Sequence, residues 1–111
     1  MGSYVVYYCK EMEEYIEPGD VNDGAMKTQD VAYRGDLGRL LIHLLSYGYT
    51  PRAWPSVAMA CDQYDNQPVS HETIIFTYRD VTERAIESYN EVWEPEDDER
   101  LIYTPRLNRS V

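Results

Sequence analysis

The sequence predicts an α+β fold, a small antiparallel sheet with two helices on one face, and three observations carry that expectation. Residues 4–9, Tyr-Val-Val-Tyr-Tyr-Cys, form a β-branched and aromatic run that reads as a buried strand. Leu37, Leu40, Leu41, Leu44 and Leu45 lie along one stripe at helical spacing. Asp80, followed three residues later by Glu83, makes a capping box at the head of a second amphipathic segment. A chain of 111 residues and 13.0 kDa has room for one modest core, so residues 1–111 are expected to form a single domain.

Taken in order, residues 4–9 open the chain as a strand. Residues 10–17 fit two periods: Met12, Tyr15 and Ile16 match helical spacing, while Glu11, Glu13, Tyr15 and Glu17 would share one face of a strand. Pro18-Gly19 ends either element, and a loop follows through Asn22-Asp23-Gly24. Asp36 then caps the first helix, which Gly48 closes. Residues 49–55, with two prolines and a tryptophan, form a loop. Residues 56–61 read as a strand, although their Ala and Met content also suits a short helix. After a turn at Asp65-Asn66-Gln67-Pro68, residues 72–78 carry Ile74, Ile75 and Phe76 as a central strand. The second helix runs to about Trp93 with Val81, Ala85, Tyr89 and Val92 inward, and residues 101–104 make a last strand before Pro105. This order, strand, helix, strand, strand, helix, strand, with an extra N-terminal element, resembles a ferredoxin-like sandwich, a fold that hosts many unrelated functions.

Composition narrows the function classes. Tyrosine occurs 11 times against one Phe, and 20 Asp and Glu outnumber 10 Lys and Arg for a net charge of -10. A tyrosine ring fills a core, and its hydroxyl tip also makes it common where proteins grip one another. Excess acid repels nucleic acid and anionic membrane and favours basic protein surfaces, so direct nucleic-acid or membrane binding is not expected. The charge is segregated: residues 11–30 hold seven acids and Lys27, and residues 80–99 hold nine acids and Arg84. No acid lies between Asp36 and Asp62, and residues 100–111 contain three arginines and no acid. The N-terminus has neither a basic leader nor an apolar run of signal-peptide length, which reads as a cytoplasmic protein. Cys9 and Cys61 then fit best as buried, reduced thiols.

The candidate partner-binding residues follow from that segregation. Glu83, Glu87, Glu91 and Glu94 recur at spacings of four, four and three and so line one helix face. Like charges at that spacing cost roughly 0.2–0.5 kcal/mol per pair, and Glu91 and Glu94 sit near the negative end of the helix dipole. The stripe continues into Glu96, Asp97, Asp98 and Glu99, and Glu11, Glu13, Glu14 and Glu17 form a second acidic block. Tyr49, Trp54 and Trp93 supply aromatic anchors, with Tyr47 and Arg52 beside the first two. The plainer account of the same residues is a solvated helix face and rings that cover a small core.

Catalytic and metal chemistry find little footing. There is no Gly-x-Ser-x-Gly, phosphate-binding glycine loop or His-Glu-x-x-His. His43 falls with Arg39 away from the leucine stripe, which places it on the helix surface, and His71 adjoins Glu72 before a predicted strand. Cys9, His43, Cys61 and His71 are zinc-type residues without the short paired spacings of a structural site. The segment Asp20-Val21-Asn22-Asp23-Gly24 fails as a calcium loop, with Ala25 where Gly is needed and Val31 where Glu is needed. No catalytic residue, metal ligand or cofactor is therefore assigned.

The reading that results is a small, acidic, non-enzymatic interaction protein: an inhibitor that blocks a basic nucleic-acid-binding surface of a nuclease or of a CRISPR or restriction effector. In size and charge the chain is similar to the small acidic phage proteins that disable CRISPR or restriction systems, and to immunity proteins that neutralise nucleases. That likeness covers composition and implies no residue roles. An alternative is a small ligand-binding or catalytic α+β domain with a tyrosine-lined pocket and His43, His71 or Cys61 for polar chemistry. A homo-oligomer joining an acidic block to the arginines at 100, 106 and 109 is a third.

Overall fold

The computed structural model of the chain describes residues 4–24, 34–46, 52–64 and 66–105. Strand β1, Val5–Cys9, pairs antiparallel with β2, Glu14–Ile16, on one side and with β3, Ala58–Cys61, on the other. Strand β4, Arg79–Asp80, runs parallel to β2, giving the order β3-β1-β2-β4. The helices are α1, Gly35–Ser46, α2, His71–Thr77, and α3, Thr82–Trp93, with 3-10 turns at Pro18–Asp20 and Asp97–Glu99. The architecture is α+β and its order is roughly consistent with the ferredoxin-like expectation, but the sheet is mixed because β4 lies parallel to β2.

Strand alternation divides β1 between two cores. Val5 and Cys9, with Ile16 and Cys61, face α1 and α3 and pack on Leu37, Leu40, Leu44, Ala85, Ile86 and Tyr89. Val6 and Tyr8, with Tyr15 and Ala60, face the other way and pack on Ile74 of α2. Two helices thus cover one face, as the sequence implies, and a short third helix covers the other. At the outer edge of β3, Gln67 stands in for a missing strand: its Oε1 accepts from the Cys61 N–H at 2.6 Å and its Nε2 donates to the Cys61 carbonyl at 2.8 Å. That blunts an edge otherwise open to another chain.

The ambiguous residues 10–17 resolve into a turn and a strand. The Glu13 N–H donates to the Lys10 carbonyl at 3.3 Å, and Glu13 itself is left-handed at φ 53°, which reverses the chain into β2. In α1, Leu37, Leu40 and Leu44 are buried, Leu41 is half-buried and Leu45 is exposed, so the stripe is narrower than its sequence. Asp36 sits within the first turn, its Oδ1 accepting from the Leu37 N–H at 2.9 Å. The expected stop at Gly48 and the candidate anchor Tyr49 lie outside the described residues.

The central strand expected at residues 72–78 is instead helix α2. Ser70 decides it locally: the Ser70 Oγ accepts from the Thr73 N–H at 3.1 Å, an N-cap that starts a helix despite the β-branched content after it. Only Ile74 then faces inward, leaving Phe76 79% exposed where strand alternation would have buried both. In α3, Val81, Ala85 and Tyr89 are buried as expected, but Val92 is exposed and Ile86 takes the inner place. Asp80 caps from two residues ahead, its Oδ1 accepting from the Thr82 N–H at 2.9 Å and the Thr82 hydroxyl at 2.6 Å, without the Glu83 half of the box. Residues 101–104 pair as a single bridge, Val21 with Tyr103, rather than as a strand of the sheet.

Replacing Ser70 with Ala is expected to lower the unfolding free energy by about 1 kcal/mol, read from chemical denaturation. A strand over residues 72–78 would make the same change neutral.

Candidate protein-interaction surface

Helix α3 turns Val81, Ala85, Ile86 and Tyr89 to the core, so its four-residue spacing throws Glu83, Glu87 and Glu91 outward, and all three are exposed. The run continues past the helix: Glu94, Glu96, Asp97, Asp98 and Glu99 are exposed as well. Among the described residues no ion pair holds any of these carboxylates. One turn of helix advances about 5.4 Å, so the α3 carboxylates stand roughly 6 Å apart along the axis.

The acidic segment 94–99 leaves α3 and returns to it at fixed points. Glu94 adopts the left-handed conformation, φ 46°, and its N–H donates to the Asn90 carbonyl at 3.0 Å. Asn90 then clamps the far end, its Nδ2 donating to the Leu101 carbonyl at 2.8 Å and its Oδ1 accepting from the Leu101 N–H at 3.1 Å. Trp93, 47% exposed, is tied back by its indole N–H, which donates to His43 Nδ1 at 3.0 Å. A set of carboxylates beside a fixed aromatic ring is therefore displayed on backbone held at both ends.

The second acidic block divides. Glu11 and Glu13 are exposed on the turn between β1 and β2. Glu11 Oε1 accepts from the Ser56 hydroxyl at 2.7 Å, a hydrogen bond that holds the Glu11 carboxyl below its ordinary value. Glu14, Glu17 and Trp54, expected at the binding surface, are buried instead. Glu14 shares a face of β2 with Ile16 and has 0% exposure, its Oε1 accepting from Trp54 Nε1 at 2.9 Å and its Oε2 from Arg79 Nη2 at 2.6 Å. Trp54 is thus a core ring with its polar tip on a buried carboxylate, and the Glu17 N–H donates to the Thr82 hydroxyl at 2.8 Å beneath α3. Nothing in their local sequence separates these residues from Glu11 and Glu13.

His43 also departs from expectation. It is fully buried between α1 and α3, because α3 packs against the flank of α1 that spacing alone assigned to solvent. Burial holds His71 below its ordinary value, an effect that Asp62 opposes, and pushes the Cys9 thiol up. Cys9 and Cys61 are free thiols, four residues apart along β1 by the Val5–Cys61 register, too far to bridge. Among the described residues no three of His, Cys, Asp and Glu gather as metal ligands, and no helix is long and apolar enough to cross a membrane.

Comparison with protein-family models, curated proteins and solved structures finds no match. The surface must therefore be read from its own chemistry.

A separate polar cluster ties Arg34 and the first turn of α1 to the residues after β2. Arg34 donates to the carbonyls of Pro18 at 2.7 Å and Val21 at 2.6 Å and to Asp36 at 2.7 Å, while Asn22 Nδ2 donates to Asp36 at 3.1 Å. Gly24 allows that approach, since a Cβ there would collide with the Arg34 guanidinium. Burial alone would raise the Asp36 carboxyl, but the hydrogen bond and charge of Arg34, with Asn22 and the Leu37 N–H, outweigh it and hold the group below its ordinary value. The sign follows: the unfolded chain takes up this proton at higher pH than the folded one. The contribution is complete above the unfolded carboxyl's range and is lost as pH falls through the lower folded value. The drop in urea midpoint between about pH 7 and about pH 3 is expected to be smaller in Asp36→Asn than in wild type. Equal drops would remove Asp36 as a source of acid sensitivity.

Arg79→Met, which strips one partner from the buried Glu14, is expected to cost about 2 kcal/mol. Combined with Glu14→Gln, the loss should fall short of the sum of the single changes by at least about 1 kcal/mol, measured by denaturation of all four proteins.

Proposed function

We propose that this chain is a small acidic interaction protein that inhibits a nucleic-acid-handling protein, a nuclease or a CRISPR or restriction effector, by occupying its basic surface. The observation that carries the reading is the exposed run of carboxylates from Glu83 to Glu99 on backbone clamped at Glu94–Asn90 and Asn90–Leu101. Backbone already held in place loses little conformational freedom on docking, so more of the attraction is retained as affinity. Carboxylates about 6 Å apart along a helix are sparser than phosphates at about 3.4 Å along one DNA strand. The fit is therefore to a lysine- and arginine-lined groove as a whole, not phosphate by phosphate. Electrostatic attraction speeds the encounter, and Trp93 with Val92, both half-exposed at the end of α3, supplies apolar contact at the same place. Glu11 and Glu13 belong to the reading as exposed acids, whereas Glu14, Glu17 and Trp54 are withdrawn from it by burial. The proposal places the protein in the cytoplasm, where Cys9 and Cys61 stay reduced.

The test is retention of a bacterial nuclease or effector by the tagged protein at low and high salt. Reversing Glu87 and Glu91 to Lys is expected to weaken that complex at least about tenfold and to flatten its salt dependence, with circular dichroism unchanged. Unaltered affinity in the reversed protein would sink the charge-based reading.

A further inference from the structure

We infer that His43 and Trp93 form a proton-sensitive latch that seats the Trp93 ring only while the imidazole is neutral. The two imidazole nitrogens of His43 have distinct partners on α3: Nε2 lies 2.9 Å from the Ser88 hydroxyl, and Nδ1 lies 3.0 Å from Trp93 Nε1. An indole N–H donates and cannot accept, so Nδ1 must present its lone pair and the ring proton must sit on Nε2, donated to Ser88. An imidazolium carries N–H on both nitrogens. A proton arriving at Nδ1 would therefore point one N–H at another, and the Trp93 contact and a charged His43 exclude each other. Ser88 is unaffected, because its hydroxyl accepts from Nε2–H in either state. Proton uptake thus breaks one bond of the pair and leaves the other.

The position of Trp93 lets that single bond matter. His43 has no exposed surface, whereas Trp93 is the last residue of α3, 47% exposed, and is followed by the left-handed Glu94 and by Pro95. The ring can leave its seat without opening the core around Leu40, Leu44 and Tyr89. Among the described residues, the charged groups on the elements around His43 are few. On α1, Arg39 lies one turn earlier; its Nε donates to the Tyr89 hydroxyl at 3.2 Å and its Nη2 reaches the Glu99 carbonyl at 3.4 Å. On α3, Arg84 lies one turn before Ser88, Glu87 and Glu91 point outward, and the Tyr89 ring meets the imidazole edge-on at 5.9 Å between centroids. Release would swing a large aromatic ring out beside Glu91, Glu94 and Glu96, which makes the shape of the acidic surface depend on pH. The latch stands on its own geometry, whether or not that surface binds a basic partner.

The experiment follows the two indole N–H resonances of the nitrogen-15-labelled full chain from about pH 8 to about pH 5. Trp54, whose indole N–H donates to Glu14 in the core, is the internal control. The Trp93 signal is expected to move through a single-proton titration and lose its contact to the His43 ring, while Trp54 and the backbone amides stay in place. In His43→Gln, whose amide can accept from Trp93 and donate to Ser88 without titrating, the transition should vanish. A Trp93 signal that is constant while the protein stays folded overturns the latch. So does one that moves only together with Trp54, or one that titrates unchanged in His43→Gln. Should His43→Gln fail to fold, the contrast between Trp93 and Trp54 in wild type still decides.

Discussion

A carboxylate with no exposed surface, Glu14, constrains more of this fold than any other single group. Removing a charge from water costs several kcal/mol unless partners replace the lost hydration. Those partners come from two distant parts of the chain, the Trp54 indole and the Arg79 guanidinium. Each requirement shapes the topology. The loop before β3 must dip into the core to deliver Trp54, and its N–H is received there by the Leu44 carbonyl at the end of α1 at 2.8 Å. Arg79 must lie directly beside Glu14, which sets the parallel register of β4 on β2. A two-residue strand has little ladder of its own; the bonds from the Arg79 N–H to the Glu13 carbonyl and from the Val81 N–H to the Tyr15 carbonyl, both 2.9 Å, complete it. Because the Arg79 side chain is 67% exposed and only Glu14 is buried, the pair is better at selecting one arrangement than at adding stability, since apolar residues could fill the Glu14 site but not give it direction.

What could be read from the sequence followed the range of the interaction that decided each element. The strand at residues 4–9 and the helices α1 and α3 rest on local periodicity, and they were legible. At residues 72–78 two local signals compete, a β-branched run and a serine cap, and the cap prevails, leaving Ile74 as the residue of α2 buried in the second core. His43 was misplaced for a different reason. A helical wheel separates the sheet-facing stripe from the rest but does not know that a second helix will lie against one flank. Glu14 and Glu17 look no different from Glu11 and Glu13 in sequence; the hairpin register and a tryptophan forty residues away decide which are buried. In the candidate surface, the outward glutamates of α3 were legible, and the clamps that fix the segment after them were not, since Asn90 to Leu101 is a contact between residues that no pattern links.

The tyrosines explain how so small a chain keeps two cores. Tyr8 and Tyr15 belong to the face on which, among the described residues, α2 is the covering helix, and Tyr8 also meets Tyr78 edge-on there at 6.1 Å between centroids. A seven-residue helix cannot roof that face with aliphatic side chains alone, and rings with a polar tip can reach from the interior to solvent. Tyr89 plays the same part on the other face, its ring against His43 and its hydroxyl receiving Arg39. Tyr4 and Tyr64 remain exposed. Among the described residues tyrosine therefore serves the two cores more often than the surface, and it weighs less toward an interface than composition alone implies.

The acidic surface is the part of the molecule that the fold least requires. The spacing of Glu83, Glu87 and Glu91 sets like charges against one another, and Glu91 lies toward the negative end of the helix dipole. Glu94 occupies a left-handed position where glycine would be more comfortable by about 1 kcal/mol. No ion pair among the described residues offsets these costs. Stability comes instead from the inner face of α3, from Asn90 on Leu101 and from Trp93 on His43, all of which hold the backbone while leaving the carboxylates free to face solvent. An arrangement that works against helix stability at several neighbouring positions, on backbone fixed by unrelated contacts, is where selection for something other than folding is expected to act. In the proposed function the carboxylates would supply the attraction and the clamps would keep it in one shape, and in the proposed latch the imidazole beneath Trp93 would give that shape one point at which a proton can alter it.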